Sequence, residues 1–527
     1  MLPATMTAPP TASPTASAFT RRRLLGGALA ASTAALLAQP FVHVRAQRLR
    51  GRDPFTLGVA SGCPRPDGVV LWTRLAPEPL QGGGMGTRPV DVAWEIAHDE
   101  GFQRPVARGT ASASAELAHS VHVEVQGLEP GRPYWYRFSA GDARSPVGRT
   151  RTAPAEGDAA TPARLAFASC QQYEQGYYAA YRDMARQPID LVVHLGDYIY
   201  ENSSGSRHVR HHEGGIPTQL DAYRNRYALY KSDADLQAAH AAFPWLVTWD
   251  DHEVANDYTG DVSARTADPA QFLAIRAAAY QAWYEHMPVP ASQRPRGPSA
   301  TIYGRYRFGR MLDVLMLDGR QYRSHHACLP GRSAAPLVDC AERLAPGRSF
   351  LGAAQEAWLA RELAAAPALW TVVAQPTLLA EADRKPGPQP GYWMDGWDGY
   401  AAARARLLEV VATPRLRNPL VISGDVHAFW AADLKCEGKA VATEFVGGAI
   451  TSEGPSAAAV ANMLAKNEHL RYGRGDRRGY AVMSLSERGC SVEFRAVDDE
   501  KRADSAVRPL ARFAVENGAP GVHIEST

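Results

Sequence analysis

The chain has 527 residues, too many for one compact core, so two domains are expected. Its formal net charge of +2 supplies no basic field of the kind nucleic-acid binding needs, which excludes that class. The first 46 residues hold Arg21, Arg22, Arg23 and Arg45 and no acid, so the rest is weakly acidic, and any anion capture falls to local charge such as metal ions.

The chain begins with an address. Thr20-Arg21-Arg22-Arg23-Leu24-Leu25 opens an Ala/Gly-rich apolar run to about Ala38, and Val44-Arg45-Ala46 offers a cleavage site. The paired arginines resemble a twin-arginine signal, which exports folded proteins; an ordinary secretory signal with three arginines is the alternative. Residues 1–46 are therefore expected to be read by the twin-arginine export machinery, leaving a periplasmic or extracellular protein. The run is too short and too rich in Gly and Ala for a stable membrane anchor, and no other stretch reads as spanning.

Residues 47–154 read as short strands between turns. Val69–Arg74, Val90–Ala97, Ser120–Val125 and Tyr134–Ala140 carry alternating or β-branched patterns, with Pro66-Asp67-Gly68 and Glu129-Pro130-Gly131 as turns. Leu128–Phe138 reads as a loop entering a late strand of an immunoglobulin or fibronectin-like all-β sandwich. Thr152–Pro162, rich in Ala, Pro, Gly and Asp, reads as a linker.

From about residue 160 to 527 short apolar runs end in polar or metal-capable residues. Arg164–Ala168 leads into Ser169-Cys170, and Leu191–Leu195 into Gly196-Asp197-Tyr198-Ile199-Tyr200-Glu201. Leu246–Trp249 leads into Asp250-Asp251-His252-Glu253 and on to Asn256, Asp257 and Tyr258. Val314–Leu317 leads into Asp318-Gly319-Arg320-Gln321-Tyr322-Arg323, Thr371–Ala374 into Gln375-Pro376-Thr377, and Leu420–Ser423 into Gly424-Asp425-Val426-His427. Helical patterns alternate with them, at Gly176–Arg186, Thr218–Ala238, Ala270–His286 and Ala353–Ala366. Strands fed by helices imply an α/β domain with its ligands at the strand ends.

Those ends suit phosphate ester hydrolysis, in which two adjacent metal ions neutralise oxyanion charge and activate a water. Asp197 is the candidate bridge, because Gly196 lets its loop turn tightly toward an ion. Tyr200 offers a hard phenolate that suits Fe(III), and Gly-Asp-x-x-Tyr resembles the iron-binding loop of purple acid phosphatases. In another setting such a Tyr is core. Cys170 is either a thiolate ligand to the same ion or a small buried thiol. His427 completes that ion's set, and Asp425 reaches the other metal. Asp251 occupies the second-metal position, with Asn256 as a further oxygen ligand. His252 stands where a group would hydrogen-bond the phosphate and protonate the leaving oxygen. An oxygen-rich second side favours Ca²⁺, so Fe(III) paired with Ca²⁺ is the expectation.

Phe167-Ala168-Ser169-Cys170, His194–Glu201, Trp249–Tyr258, Leu317–Arg323 and Ser423–His427, in this order behind a β-rich leader, resemble the PhoD family of alkaline phosphatases. The resemblance extends to Phe55–Pro77 in the leader and covers nearly the whole chain. It implies a metallophosphoesterase catalytic domain, an αββα sandwich, that hydrolyses phosphomonoesters and phosphodiesters at alkaline pH with Fe(III) and Ca²⁺. It supports Cys170, Asp197, Tyr200 and His427 as the iron set and leaves Asp251, Asn256 and Asp257 open as calcium ligands. Some relatives act as phospholipase D, which is the rival diesterase reading. A non-catalytic, metal-stabilised surface-binding protein is the rival from another class.

The remaining signals admit two readings each. Arg320 and Arg323 either hold substrate phosphate bidentately or pair with Asp318. The run from His208 to Gly215 reads as a solvated insertion near the entrance. Trp393, Trp397 and Tyr400 either line the pocket or pack. In an oxidising compartment Cys328 can bridge to Cys340 and Cys436 to Cys490, leaving Cys63 alone. No Gly-x-Ser-x-Gly elbow, P-loop, dinucleotide fingerprint or HExxH motif is present.

Overall fold

In the computed structural model, residues 52–329, 337–413 and 416–527 are described, and three β-sheets organise them. The signal-like residues 1–46 lie outside that range. Among the described residues no helix is long and apolar enough to cross a membrane.

The largest sheet has ten strands. Its centre is parallel: Ala163–Ala168 pairs with Leu191–His194, that with Pro244–Val247, and that with Val59–Arg65. On one side Gly479–Leu485, Gly489–Val497, Val507–Glu516 and Ala519–Ser526 continue it antiparallel, so the chain's tail is an edge hairpin. On the other side follow Gly68–Arg74 and Ser120–Gln126. The second sheet has seven strands, with a parallel core of Leu312–Met316, Trp370–Thr377, Pro419–Gly424 and Lys439–Gly447.

Alternation explains how the two sheets stack. Val314, Met316, Val372, Ala374 and Ile422 share one core with Phe167, Val192 and Phe494 of the ten-stranded sheet. Their neighbours Leu315, Leu317, Val373 and Val421 point the other way, into a second core with Leu359, Leu363, Leu407 and Val460. Helices Ala353–Ala364, Ala401–Val411 and Ala457–Lys466 supply that cover. A sheet buried on both faces needs near-continuous apolar strands, which is what these runs are.

The leader is joined to this framework by hydrogen bonds. Val90–Ala97, Pro105–Ala113, Pro133–Ala140, Ala143–Arg144 and Gly148–Arg151 form a separate small sheet. It packs Val92, Ile96, Tyr134, Tyr136 and Phe138 against Leu71, Val121, Val123 and Val125. Those last residues belong to strands of the ten-stranded sheet, which the leader enters where Ser61 and Gly62 pair with Pro244 and Trp245. Hydrogen bonding therefore crosses the expected linker instead of stopping there.

Two local expectations change. The single helix expected over Thr218–Ala238 is two, Leu220–Lys231 and Ala234–Ala242, because the Asp233 carboxylate accepts the Asp235 and Leu236 amides and starts a new helix. Cys328 and Cys340 form a disulfide, whereas Cys436 and Cys490 are both free. The latter two stand on different sheets, Cys436 in the seven-stranded one and Cys490 in the ten-stranded one.

Candidate metal centre

Loops from both large sheets converge at one end of the shared core. Cys170 follows the Ala163–Ala168 strand, Asp197 follows Leu191–His194, and Asp251 follows Pro244–Val247. Asp425 and His427 follow Pro419–Gly424 of the other sheet. The turns that aim them are sharp: Cys170, Asp197, Asp425 and His427 all have positive φ, 58°, 55°, 64° and 50°. Backbone held in this region by non-glycine residues costs about 1–3 kcal/mol each and clusters at functional sites. Gly196 must be glycine, since at its φ of 109° a Cβ would lie 2.6 Å from the Asp250 Cβ.

The result is two donor groups with one member in common. Donor atoms of Cys170, Asp197 and His427 lie within 4.8 Å of one another, as do those of Asp197, Asp251 and Asp425. Tyr200 closes the first group, its hydroxyl 2.9 Å from Asp197 Oδ2 and 3.0 Å from His427 Nε2, and it accepts from Ser452 Oγ at 2.8 Å. His427 Nδ1 donates to the Glu453 carbonyl at 2.8 Å, so Nε2 is left as a bare lone pair. One phenol proton then faces two acceptors.

Protein groups alone do not satisfy this arrangement. Asp197 Oδ1 and Asp425 Oδ2 are buried with no hydrogen-bond partner among the described residues. Burial pushes the Asp197 carboxyl, the Cys170 thiol and the Tyr200 phenol well above their ordinary ranges, and Asp425 up to about 7. A cation between them reverses each of these costs, so the donor set fits bound metal.

Comparison with known proteins agrees. Residues 165–494 match the family model of the PhoD-like phosphatases, and residues 42–154 match the PhoD-like phosphatase N-terminal domain. Alkaline phosphatase D of Bacillus subtilis (strain 168) is 45% identical over 482 residues, 89% of this chain and 82% of that protein. A solved structure of PhoD superposes with a TM-score of 0.87 at 43% identity, covering 90% of this chain and 93% of that one. The chain belongs to the PhoD-like phosphatase family. It is a metal-dependent hydrolase of the alkaline phosphatase/phosphodiesterase type.

Beside the donors of this PhoD-like site lies His252. Its Nδ1 is 2.6 Å from Glu201 Oε2, and its ring centroid lies 4.0 Å from that of Tyr200, the planes tilted by 31°. Burial opposes its charge, but Glu201, Asp251 and Asp197 outweigh burial and raise its pKa well above the ordinary value. Glu201 also accepts from the Asn256 amide at 3.0 Å and Arg265 at 2.9 Å, so one carboxylate fixes imidazole and loop together. Asp251, His252, Asn256, Asp257, Asp425 and His427 all line a cavity of about 430 Å³.

Of the two readings open for Arg320 and Arg323, the structure favours internal pairing, with Asp395 and not Asp318 as the shared partner. Both side chains are fully buried, and Arg320 spends every N–H on neighbours: Nε on Asp250, Nη1 on Asp395 and the Tyr258 carbonyl, Nη2 on Asp251 and Asp395. A guanidinium has five N–H donors, so none is left for a phosphate. Arg323 reaches Asp395 at 3.1 Å and the Gly319 carbonyl, and its Nη2 has no hydrogen-bond partner among the described residues. Asp318 instead accepts backbone amides of residues 320 and 321.

Sequence reasoning passed over several residues that matter here. Asp395, in the aromatic stretch around Trp393, takes both arginines and His326, and is held well below the ordinary carboxylate range once these outweigh burial. Glu253 accepts the Asp197 and Asp250 amides and so ties two ligand loops together. Arg384 lines the cavity with its guanidinium 4.6 Å over the Trp393 ring, and its Nε has no hydrogen-bond partner among the described residues. Trp393 is thus a wall of the cavity, while Trp397 and Tyr400 pack on Phe350. Asp395 stands out only as an acid in an aromatic stretch, Glu253 is one of several acids in its loop, and nothing local marks Arg384.

Proposed function

We propose that this protein is an exported phosphomonoesterase and phosphodiesterase whose centre holds Fe(III) through Cys170, Asp197, Tyr200 and His427, and Ca²⁺ through Asp197, Asp251, Asn256 and Asp425. The observation that carries the reading is Asp197, shared by both donor groups with one buried oxygen unpartnered among the described residues. Thiol, phenol and imidazole on one side suit a trivalent or softer ion; carboxylates and an amide on the other suit a hard divalent one. When bound, the ions supply Lewis acidity and charge neutralisation at the ester.

The chain's own residues do the rest. Glu201 fixes the His252 ring by Nδ1, so Nε2 is the atom left to hold a proton and deliver it to the leaving alkoxide. Arg384, backed by Trp393, is the cation in the cavity wall best placed to meet a phosphate oxygen. Arg320 lacks the donors for that role, and Arg323, buried behind Asp395, does not reach the cavity lining. Arg320 keeps the Asp250-Asp251 loop in place from below. Leu337, Trp430, Pro455 and Met463 give the cavity an apolar side for the alcohol part of an ester.

The wider reading follows from the same resemblance. Residues 47–154 are read as an immunoglobulin or fibronectin-like sandwich, and residues 160–527 as an αββα metallophosphoesterase sandwich. Residues 1–46 are read as a twin-arginine signal that delivers the enzyme to the periplasm or beyond.

Hydrolysis of p-nitrophenyl phosphate and its bis-ester at alkaline pH, with calcium present and then chelated, tests the proposal. Calcium-dependent turnover of either ester supports it, and the ratio ranks the two bonds. No turnover of either by protein verified to contain iron and calcium would sink it in favour of a phospholipase or a binding protein.

A further inference from the structure

A second cluster of metal-capable side chains stands apart from the centre described above. Donor atoms of Glu174, His208 and His211 lie within 4.8 Å of one another. None of the three has a part in the phosphoesterase machinery. Glu174 belongs to the Tyr173–Gln175 turn; His208 and His211 belong to the loop that folds back over it.

The loop is held firmly enough to present its imidazoles. The Val209 amide donates to the Glu174 carbonyl at 2.9 Å, and the His212 amide to Glu174 Oε1 at 2.9 Å. Between them Arg210 donates to the Tyr173 and Gly176 carbonyls, pairs with Asp233 at 2.6 Å and stacks 3.8 Å over the Tyr173 ring. Glu174 and the two histidines are therefore brought together by backbone and arginine contacts that do not depend on a ligand.

Two features of the cluster ask for a cation. Glu174 is 2% exposed, and its Oε2 has no hydrogen-bond partner among the described residues. The nearest nitrogen, His212 Nδ1 at 3.4 Å, already accepts from Arg226 Nη1 at 3.2 Å, and a ring nitrogen that accepts brings no proton to a carboxylate. Burial works against the charge on Glu174, and the hydrogen bonds from the His212 amide and the Ser203 hydroxyl work for it, the carboxyl standing below its ordinary range. An anionic oxygen is thus buried without a proton of its own.

His208 is prepared in the complementary sense. Its Nε2 lies 2.9 Å from the Ser204 carbonyl, which can only accept, so Nε2 carries the proton and Nδ1 is a bare lone pair. A metal-binding histidine almost always donates its other ring N–H in this way. His211 is exposed and its ring centroid is 6.1 Å from that of His208. Rotation of that free ring can draw the three donors toward the roughly 3.3 Å spacing of a tetrahedral site with ~2.0 Å bonds. Its exposure also gives an ion a way in from solvent.

We propose that Glu174, His208 and His211 form a second metal site that takes a borderline divalent transition metal, Zn²⁺ foremost. Two imidazoles and one carboxylate are a ligand set for Zn²⁺, Ni²⁺ or Co²⁺ rather than for Ca²⁺ or Mg²⁺. An ion there ties the 203–212 loop to the turn that begins three residues after Cys170. The same loop is already linked to the catalytic end, because Gln175 donates to the Ser204 carbonyl and accepts the Glu453 amide. The site is a clasp on the border of the active centre.

The test is calorimetric titration of Zn²⁺ into the full-length mature protein carrying its own metals, beside His208→Ala/His211→Ala and His211→Ala. Wild type is expected to take up one equivalent of Zn²⁺ that the double variant does not, and to show a zinc-dependent rise in Tm that the double variant lacks. His211→Ala alone is expected to weaken that equivalent by at least ~10-fold. Co²⁺ gives the same difference as a visible absorption band. Turnover of p-nitrophenyl phosphate without added zinc reports the fold of each variant and is expected to be unchanged. Equal zinc stoichiometry, affinity and Tm shift in wild type and double variant overturn the proposal. If the double variant does not fold, undiminished zinc affinity in His211→Ala, whose side chain is exposed, overturns it as well.

Discussion

Two acidic clusters sit side by side in this protein, and they are neutralised in opposite ways. Around Asp395 the charge is settled within the chain, by Arg320, Arg323 and His326. Around Asp197 it is left open: Asp197 Oδ1 and Asp425 Oδ2 have no hydrogen-bond partner among the described residues, although Asp251 of the same donor group touches Arg320. A cluster whose carboxylate is paired within the chain positions loops; one whose carboxylate oxygens are left unpaired binds. The chain places the first directly behind the second, so that Arg320 grips Asp250 and Asp251 while their neighbours face the cavity.

The sharpest way to separate the clusters is to disable one member of each. Asp197→Asn is expected to lower kcat for p-nitrophenyl phosphate by at least ~10³-fold, about 4 kcal/mol of transition-state stabilisation, while far-ultraviolet circular dichroism stays that of wild type. Arg320→Met removes the internal counter-charge and leaves buried carboxylates unpaired. Denaturant unfolding is expected to show a loss of about 3–5 kcal/mol, the usual cost of breaking a buried pair.

Smaller effects probe what lies between them. His252→Gln is expected to slow hydrolysis by ~10²-fold or more for an alkyl phosphate and by less for the p-nitrophenyl ester, whose leaving group needs no proton. Equal losses on both substrates would remove His252 as the acid. Arg384→Ala is expected to cost about 1.5–3 kcal/mol in kcat/KM, mostly through KM, as the loss of a charge-assisted contact does.

The clusters also titrate in opposite directions. In metal-free protein Asp425 and Glu253 are each pushed up to about 7, chiefly by burial. Their folded pKa values exceed the unfolded ones, so the stability they allow is present below pH ~4 and is lost as pH rises through about 7. Asp395 is held well below the ordinary range by Arg320 and Arg323 despite burial, so its contribution is present above pH ~4 and is lost as pH falls through its folded pKa. Scanning calorimetry of chelated protein should show Tm falling between pH 5 and 8, and restored metal should flatten that slope. A chelated protein whose Tm rises over this interval contradicts the reading.

Much of the candidate centre was legible because most of its donors stand where an apolar run ends. Asp197, Asp425 and His427 followed that rule, whereas Cys170 stayed open between a donor and a buried thiol, and Tyr200 rested on the resemblance of Gly-Asp-x-x-Tyr to the purple acid phosphatase loop. The Arg320 partnership was not legible, because Asp395 lies in an irregular segment between the Trp370–Thr377 strand and the 401–411 helix, with no strand end to announce it. Arg384 is similarly placed, and its role depends on a tertiary neighbour, Trp393. In the fold, the Asp233 cap was readable in principle, whereas the parallel pairing of Ser61 with Pro244 was not, since no local pattern chooses a distant strand partner.

The central claim is that Asp197 joins two metal sites while Asp395 holds only protein. Elemental analysis of purified wild type, Asp197→Asn and Asp395→Asn, with Tm recorded on the same samples, tests it most directly. Asp197→Asn is predicted to lose bound iron and calcium together and to stay folded, whereas Asp395→Asn loses thermal stability first. Full retention of both metals by Asp197→Asn would contradict the account.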